Sequence, residues 1–179
     1  MRLTVPLTFI VLLAGCASEP PVIANSAPDF HLGAYQTFSF LEPLSTDNGN
    51  VRTILSNELI VPARRELEWK GLRYVESGGE LLVNFVVSTR ETIQTRNTPS
   101  TSVSARHGRY GTWGGYNMAV STTEVIQRTE GTLGIDIIDA KRRELVWEGA
   151  VSGRVTDKVR QNRAAALDDG VRVILDRLR

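Results

Sequence analysis

The chain has 179 residues, 41% of them hydrophobic and 23% charged, with 21 Lys and Arg against 20 Asp and Glu. This is the composition of one ordinary globular domain rather than a disordered chain. Near-zero net charge removes the electrostatic basis for binding nucleic acid, and a single cysteine excludes internal disulfides and thiolate metal centres.

Arg2 precedes an apolar run over residues 3–13, interrupted only by Thr4 and Thr8 and closed by Leu13-Ala14-Gly15-Cys16. The run is far shorter than the ~20 residues a membrane-crossing helix needs. Pro6 and the switch to Ala17-Ser18-Glu19-Pro20-Pro21 argue against a buried helix. A basic start, a short apolar run and small residues are the anatomy of a secretory signal. The Leu-Ala-Gly-Cys ending resembles the lipobox of bacterial lipoproteins, in which the cysteine sulfur is acylated and becomes the first mature residue. Residues 1–15 are therefore expected to be a lipoprotein signal peptide and Cys16 the lipidation site. Ala17 and Ser18 lack the Asp that commonly retains such proteins in the inner membrane. The expected location is the periplasmic face of the outer membrane, with the membrane itself as a partner through the N-terminal lipid.

Residues 16–27, rich in Pro, Ser and Ala, read as a lipidated tether, and residues 28–179 as one α+β domain. The aromatic segment 35–41 reads as the first strand. Asn50 is expected to cap a helix whose apolar stripe runs through Val51, Ile54 or Leu55, Glu58 or Leu59, Ala63 and Leu67. Pro62 predicts a kink within it, and Gly71 suits its left-handed C-terminal cap. A short strand over 72–75 and a Ser77-Gly78-Gly79 turn follow.

Leu81, Val83, Phe85 and Val87 alternate with polar residues, the pattern of a half-buried antiparallel strand. Residues 88–96 keep strand propensity without core residues, and residues 118–127 mirror them. This symmetry predicts an extended β-hairpin with a glycine-aromatic loop at its tip. Leu133, Ile135 and Ile137 return to the core, residues 139–143 turn, and Leu145, Trp147 and Val151 form the last strand. Thr156 or Asp157 is expected to cap a final helix with Val159, Ala166 or Leu167, Val171, Ile174 or Leu175 and Leu178 on one face. The expected fold class is α+β: two layers, a mostly antiparallel sheet of about five strands, and two helices packed on one face.

These residues resemble a family of bacterial envelope lipoproteins, domain-of-unknown-function family 4136. The resemblance rests on Asp29-Phe30, on Tyr35-x-Thr37-Phe38-x-Phe40, on Lys70-Gly71 and on Leu81-Leu82-Val83-Asn84-Phe85. It continues through Gly131-Thr132-Leu133 and Asp136-Ile137-Ile138-Asp139-Ala140-Lys141 to Leu145-Val146-Trp147-Glu148-Gly149, where it is most specific. Family members usually have Gly in the turn where Arg143 or a neighbour stands here. The resemblance implies an α+β envelope domain and supplies no activity, cofactor or catalytic residue.

The chemistry-bearing residues are few. His107 stands near Ser102 and Ser104, but no Gly-x-Ser-x-Gly elbow or orienting acid accompanies them. Asp136, Asp139 and Glu148 surround one turn, and such carboxylates serve as acid and base or hold a hard cation. Asp139 is better read as the turn initiator, with Asp136 and Glu148 on the polar face of the sheet. Asn84, inside an apolar run, is expected to be solvated or to meet a cross-strand partner. Tyr110, Trp113 and Tyr116, set among glycines, are the candidate partner contacts.

The expected function is therefore a non-catalytic binding or structural role in the envelope, toward a protein or glycan, with no cofactor and no metal site. A small apolar-ligand carrier with a groove between sheet and helices is one alternative. A hydrolase built on Asp136, Asp139 and Glu148 is the other.

Overall fold

The computed structural model describes residues 21–101, 106–108, 111–113 and 119–179, and all their side chains except those of residues 94 and 96–127. Eight strands run in chain order: β1 (Val22–Ser26), β2 (Thr37–Phe40), β3 (Arg73–Tyr74), β4 (Leu81–Thr101), β5 (Arg106–Gly108), β6 (Gly111–Trp113), β7 (Ala119–Asp139) and β8 (Glu144–Arg154). Three helices join them: α1 (Ile54–Trp69), α2 (Asp157–Gln161) and α3 (Arg163–Leu175). The main sheet has the order β1-β8-β7-β4-β2-β3, and β5 and β6 pair separately.

Alternation along β4, β7 and β8 decides which face is dry. Val83, Phe85, Ile135, Ile137 and Trp147 are all buried, as their pattern requires, together with Phe38, Leu59, Leu67, Ile174 and Leu175. α1 and α3 pack side by side on this inner face, α3 against β1, β7 and β8 and α1 beside β3. Arg163 holds both carboxylate oxygens of Glu58, and Arg65 holds Asp168, so ion pairs rim the seam between the helices.

α1 runs unbroken past Pro62, which is itself buried against the core. Its C-terminus closes as a Schellman motif. The Leu72 N–H donates to Leu67 O and the Gly71 N–H to Glu68 O, with Gly71 at φ +94°. Leu67 and Leu72, which bracket the motif, are both buried.

Several expectations are corrected. The sheet has six strands, not about five, and it is mixed: β2 runs parallel to both β3 and β4. The additional strand is β1, in residues assigned above to the tether. Val22–Ser26 pairs antiparallel with β8, and Val22 packs on the core, because Trp147–Val151 would otherwise leave a bare edge there. The N-cap of α1 is Thr53 rather than Asn50, its hydroxyl accepting the Ser56 N–H at 3.1 Å. The C-terminal helix is two helices. Thr156 caps α2 as expected, but the chain breaks at Asn162 because residues 160–165 offer nothing to bury.

β4 and β7 stay paired over their whole length, from Leu81↔Asp139 to Thr101↔Ala119. β2 accompanies β4 only as far as Val83, and β8 accompanies β7 only as far as Glu130. Beyond those points the two strands continue as the extended hairpin that the symmetry of residues 88–96 and 118–127 predicts.

Candidate functional site

The helices cover one face of the sheet, and among the described residues no helix covers the other, which the 41–53 loop meets at Asn84. On that outer face the register lines up Asn25 of β1, Glu148 of β8, Asp136 of β7 and Asn84 of β4 as consecutive cross-strand neighbours. Asn25 donates to Glu148 Oε1 at 2.9 Å, and Asn84 Nδ2 approaches Asp136 Oδ2 at 3.4 Å. A shallow depression of about 330 Å³ lies beside this row, bounded by Ile23, Val86, Gly134, Asp136, Glu148 and Ala150. Ile23, Val86 and Leu145 are exposed apolar residues of this sheet.

Asn84 is buried rather than solvated. Its side chain accepts the Ser45 N–H and donates to the Ser45 hydroxyl, both at 2.9 Å, pinning the 41–53 loop against the outer face. The loop is braced from within by Asp47, which accepts from the N–H groups of Leu44 and Thr53 and from the Ser56 hydroxyl. Burial works against the charge on Asp47, but these bonds and nearby Arg52 hold its carboxyl below the ordinary value.

Asp136 shows the opposite balance. Burial pushes its carboxyl up, the Asn84 amide opposes that, and the charge of Glu148 adds to the rise. Two carboxylates side by side on one sheet face destabilise each other.

The three carboxylates expected near the turn thus divide. Asp136 and Glu148 meet on the outer face, whereas Asp139 shares the parity of Ile137 and Leu81. One Asp139 oxygen accepts the N–H groups of Lys141 and Arg142. The other accepts the Tyr35 hydroxyl at 2.9 Å and Arg142 Nε at 3.1 Å. Arg142 also grips Asp29. The backbone bond from Arg142 is the largest of the contributions that hold the Asp139 carboxyl down to about 2. Asp29, Tyr35 and Asp139, conspicuous in the sequence, therefore clasp the segment before β2 to the β7–β8 turn. Their signal was legible, but as a structural clasp.

Other expected site residues are placed as follows. Cys16, Tyr110 and Tyr116 lie outside the described residues, as do Ser102 and Ser104. Trp113 ends β6 and His107 lies in β5, on a short ladder of their own. The space between sheet and helices, where a carrier would hold its ligand, is packed with Phe38, Phe85, Leu59, Leu67 and Ile174. Sequence reasoning missed Asn25 and Ile23, because the strand that carries them was not recognised.

Residues 22–178 match the family described as a domain of unknown function, DUF4136. The chain belongs to the DUF4136 family. A DUF4136 family protein from Bacteroides thetaiotaomicron shares the fold with a TM-score of 0.52 at 14% identity, covering 89% of this chain and 95% of its own. A PDZ domain protein from Parabacteroides distasonis aligns over 87% of this chain with a TM-score of 0.57 and 20% identity. The chain spans only 34% of that protein's length. A PelC dodecamer from Paraburkholderia phytofirmans aligns at a TM-score of 0.47 and 11% identity, over 88% of this chain and 95% of its own. At these identities the likeness is one of fold. A search among curated proteins finds no match.

Proposed function

We propose that this DUF4136 member is an outer-membrane lipoprotein on the periplasmic face, anchored through Cys16, with a non-catalytic binding or structural role. The observation that carries the binding role is the open outer face of the sheet. It sets the Asp136–Glu148 pair beside exposed Ile23 and Val86, an acidic patch with an apolar margin. A surface of that chemistry suits a protein or glycan partner that brings hydrogen-bond donors and a cation to the carboxylates. The Leu13-Ala14-Gly15-Cys16 ending supports the anchor. No helix among the described residues is long and apolar enough to cross a membrane.

The test is a photoreactive amino acid at Val86 in intact cells, compared with one at Ser77 in the turn before β4. Capture of one envelope component from Val86, lost in an Asp136→Ala, Glu148→Ala variant of unchanged melting temperature, is the expected result. Equal capture from both positions would remove the outer face as the binding surface.

A further inference from the structure

The chain enters β1 at the end of the sheet from which the β4–β7 ribbon departs. Val22 pairs with Val151, Val151 with Leu133, and Leu133 with Val87, so these four residues mark one level. From that level β1 runs away from the ribbon, toward Ser26 opposite Trp147. Pro21, the residue that leads into β1, therefore stands at the ribbon end of the sheet. Two lengths now compete on the same side of the domain. Residues 16–22 reach at most ~20 Å even when fully extended. The ribbon, from Val87 to Thr101, reaches roughly 45 Å at about 3.3 Å per residue. The greatest length of the leash is less than half the length of the arm.

Resting on the lipid anchor proposed above, we infer that the distal ribbon, residues 91–101 and 119–129, lies along the headgroup layer of the bilayer holding the Cys16 lipid. A leash this short holds the level of Val22 near the membrane surface, and an arm longer than the leash meets that surface. The composition fits a headgroup layer carrying anionic lipid. Residues 91–129 contain four Arg and two Glu, with no Lys and no Asp. Ile93 is 67% exposed on the ribbon, an apolar side chain turned to solvent. A two-stranded ribbon is marginal alone in water, so a surface along its length also stabilises it. Among the described residues no third strand pairs with β4 beyond Val83 or with β7 before Glu130. Those open edges keep a single ribbon out of the hydrocarbon, where unpaired backbone groups find no partner.

The experiment uses the full-length lipidated protein in vesicles of phosphatidylethanolamine and phosphatidylglycerol. A nitroxide is placed at Thr95→Cys or Ile93→Cys, with Ser77→Cys at the opposite end of the sheet as control. Collision rates with oxygen and with a water-soluble nickel chelate give the depth of each label. Labels at 95 and 93 should lose nickel collisions several-fold on reconstitution and sit at headgroup depth, while the label at 77 stays aqueous. Ribbon labels that remain as accessible as in lipid-free protein overturn the inference. Labels at the bilayer centre overturn it too, since only a closed barrel of several copies satisfies the edges at that depth. Co-flotation with the vesicles is scored separately. Protein that does not float refutes the anchor, and protein that floats with aqueous ribbon labels refutes the ribbon placement alone.

Discussion

Arg143 occupies the β7–β8 turn at φ +59°, a left-handed conformation that glycine enters freely and a Cβ makes costly. The backbone here is of the kind that favours glycine. Arg143→Gly should raise stability by about 0.5–1 kcal/mol, the lost left-handed strain outweighing the entropy of an added glycine. Chemical denaturation measures it, and a loss of stability would mean that the arginine side chain holds the turn. Beside it, Asp139 links stability to acid. Its folded-state value is depressed to about 2 from an ordinary 3.8. The stability it contributes is therefore full above pH ~4 and falls away as pH drops toward 2. Asp139→Asn should destabilise the domain at neutral pH and flatten its melting temperature between pH 4 and pH 2, as followed by thermal melts across that range. An unchanged acid limb would place the sensitivity elsewhere, in Asp29, Asp47 or Glu80, whose carboxyls are also held low.

At the scale of elements, legibility in the sequence tracks how many side chains an element buries. β4, the inner half of β7, β8 and the face of α1 through Leu59, Ala63 and Leu67 were readable because alternation or helical spacing had to place them inward. β1 was not, since a five-residue edge strand with one residue against the core has almost no pattern, and the prolines before it read as linker. The parallel pairing of β2 with β4 was equally hidden, because periodicity fixes a strand's face and says nothing about its neighbour. Asn84 was visible as an oddity, but its partner Ser45 lies 39 positions away and no local signal joins them. The ribbon's existence was legible, and its independence from the core can be tested. Arg90 and Glu130 are register partners, so a two-residue Asn-Gly turn can join them in place of residues 91–129. The shortened protein should melt cooperatively at an unchanged or higher temperature, since closing a shorter loop costs less entropy. A collapse of the melt would show that the arm supports the fold.

For the whole molecule, the anchor proposed at Cys16 would set where every other surface is presented. Cys16→Ser leaves an oxygen where the acyl-transfer chemistry needs sulfur, so the variant should keep residues 1–15 or fail to reach the outer membrane. Fractionation with mass spectrometry of the N-terminus reads this directly, and an unmodified, membrane-free Cys16 in the wild-type protein would defeat the lipoprotein reading. The sequence already put Asp136 and Glu148 on the polar face of the sheet, and the β7–β8 register makes them direct neighbours there.

The β1–β8 pairing has a kinetic corollary. Asn25 and Glu148 are 123 positions apart, yet they touch, so the first strand of the domain to emerge from any synthesis or export machinery waits for nearly the last. Local hairpins such as β7–β8 can close at once, whereas β1 must search until the C-terminal third arrives. During that interval the β8 edge it will cover stands open, and identical chains held at high local concentration would offer the wrong β1 as readily as the right one. Strand exchange between neighbours is the misfolding route this topology favours, and dense lipid-tethered refolding should produce it more than dilute refolding in solution.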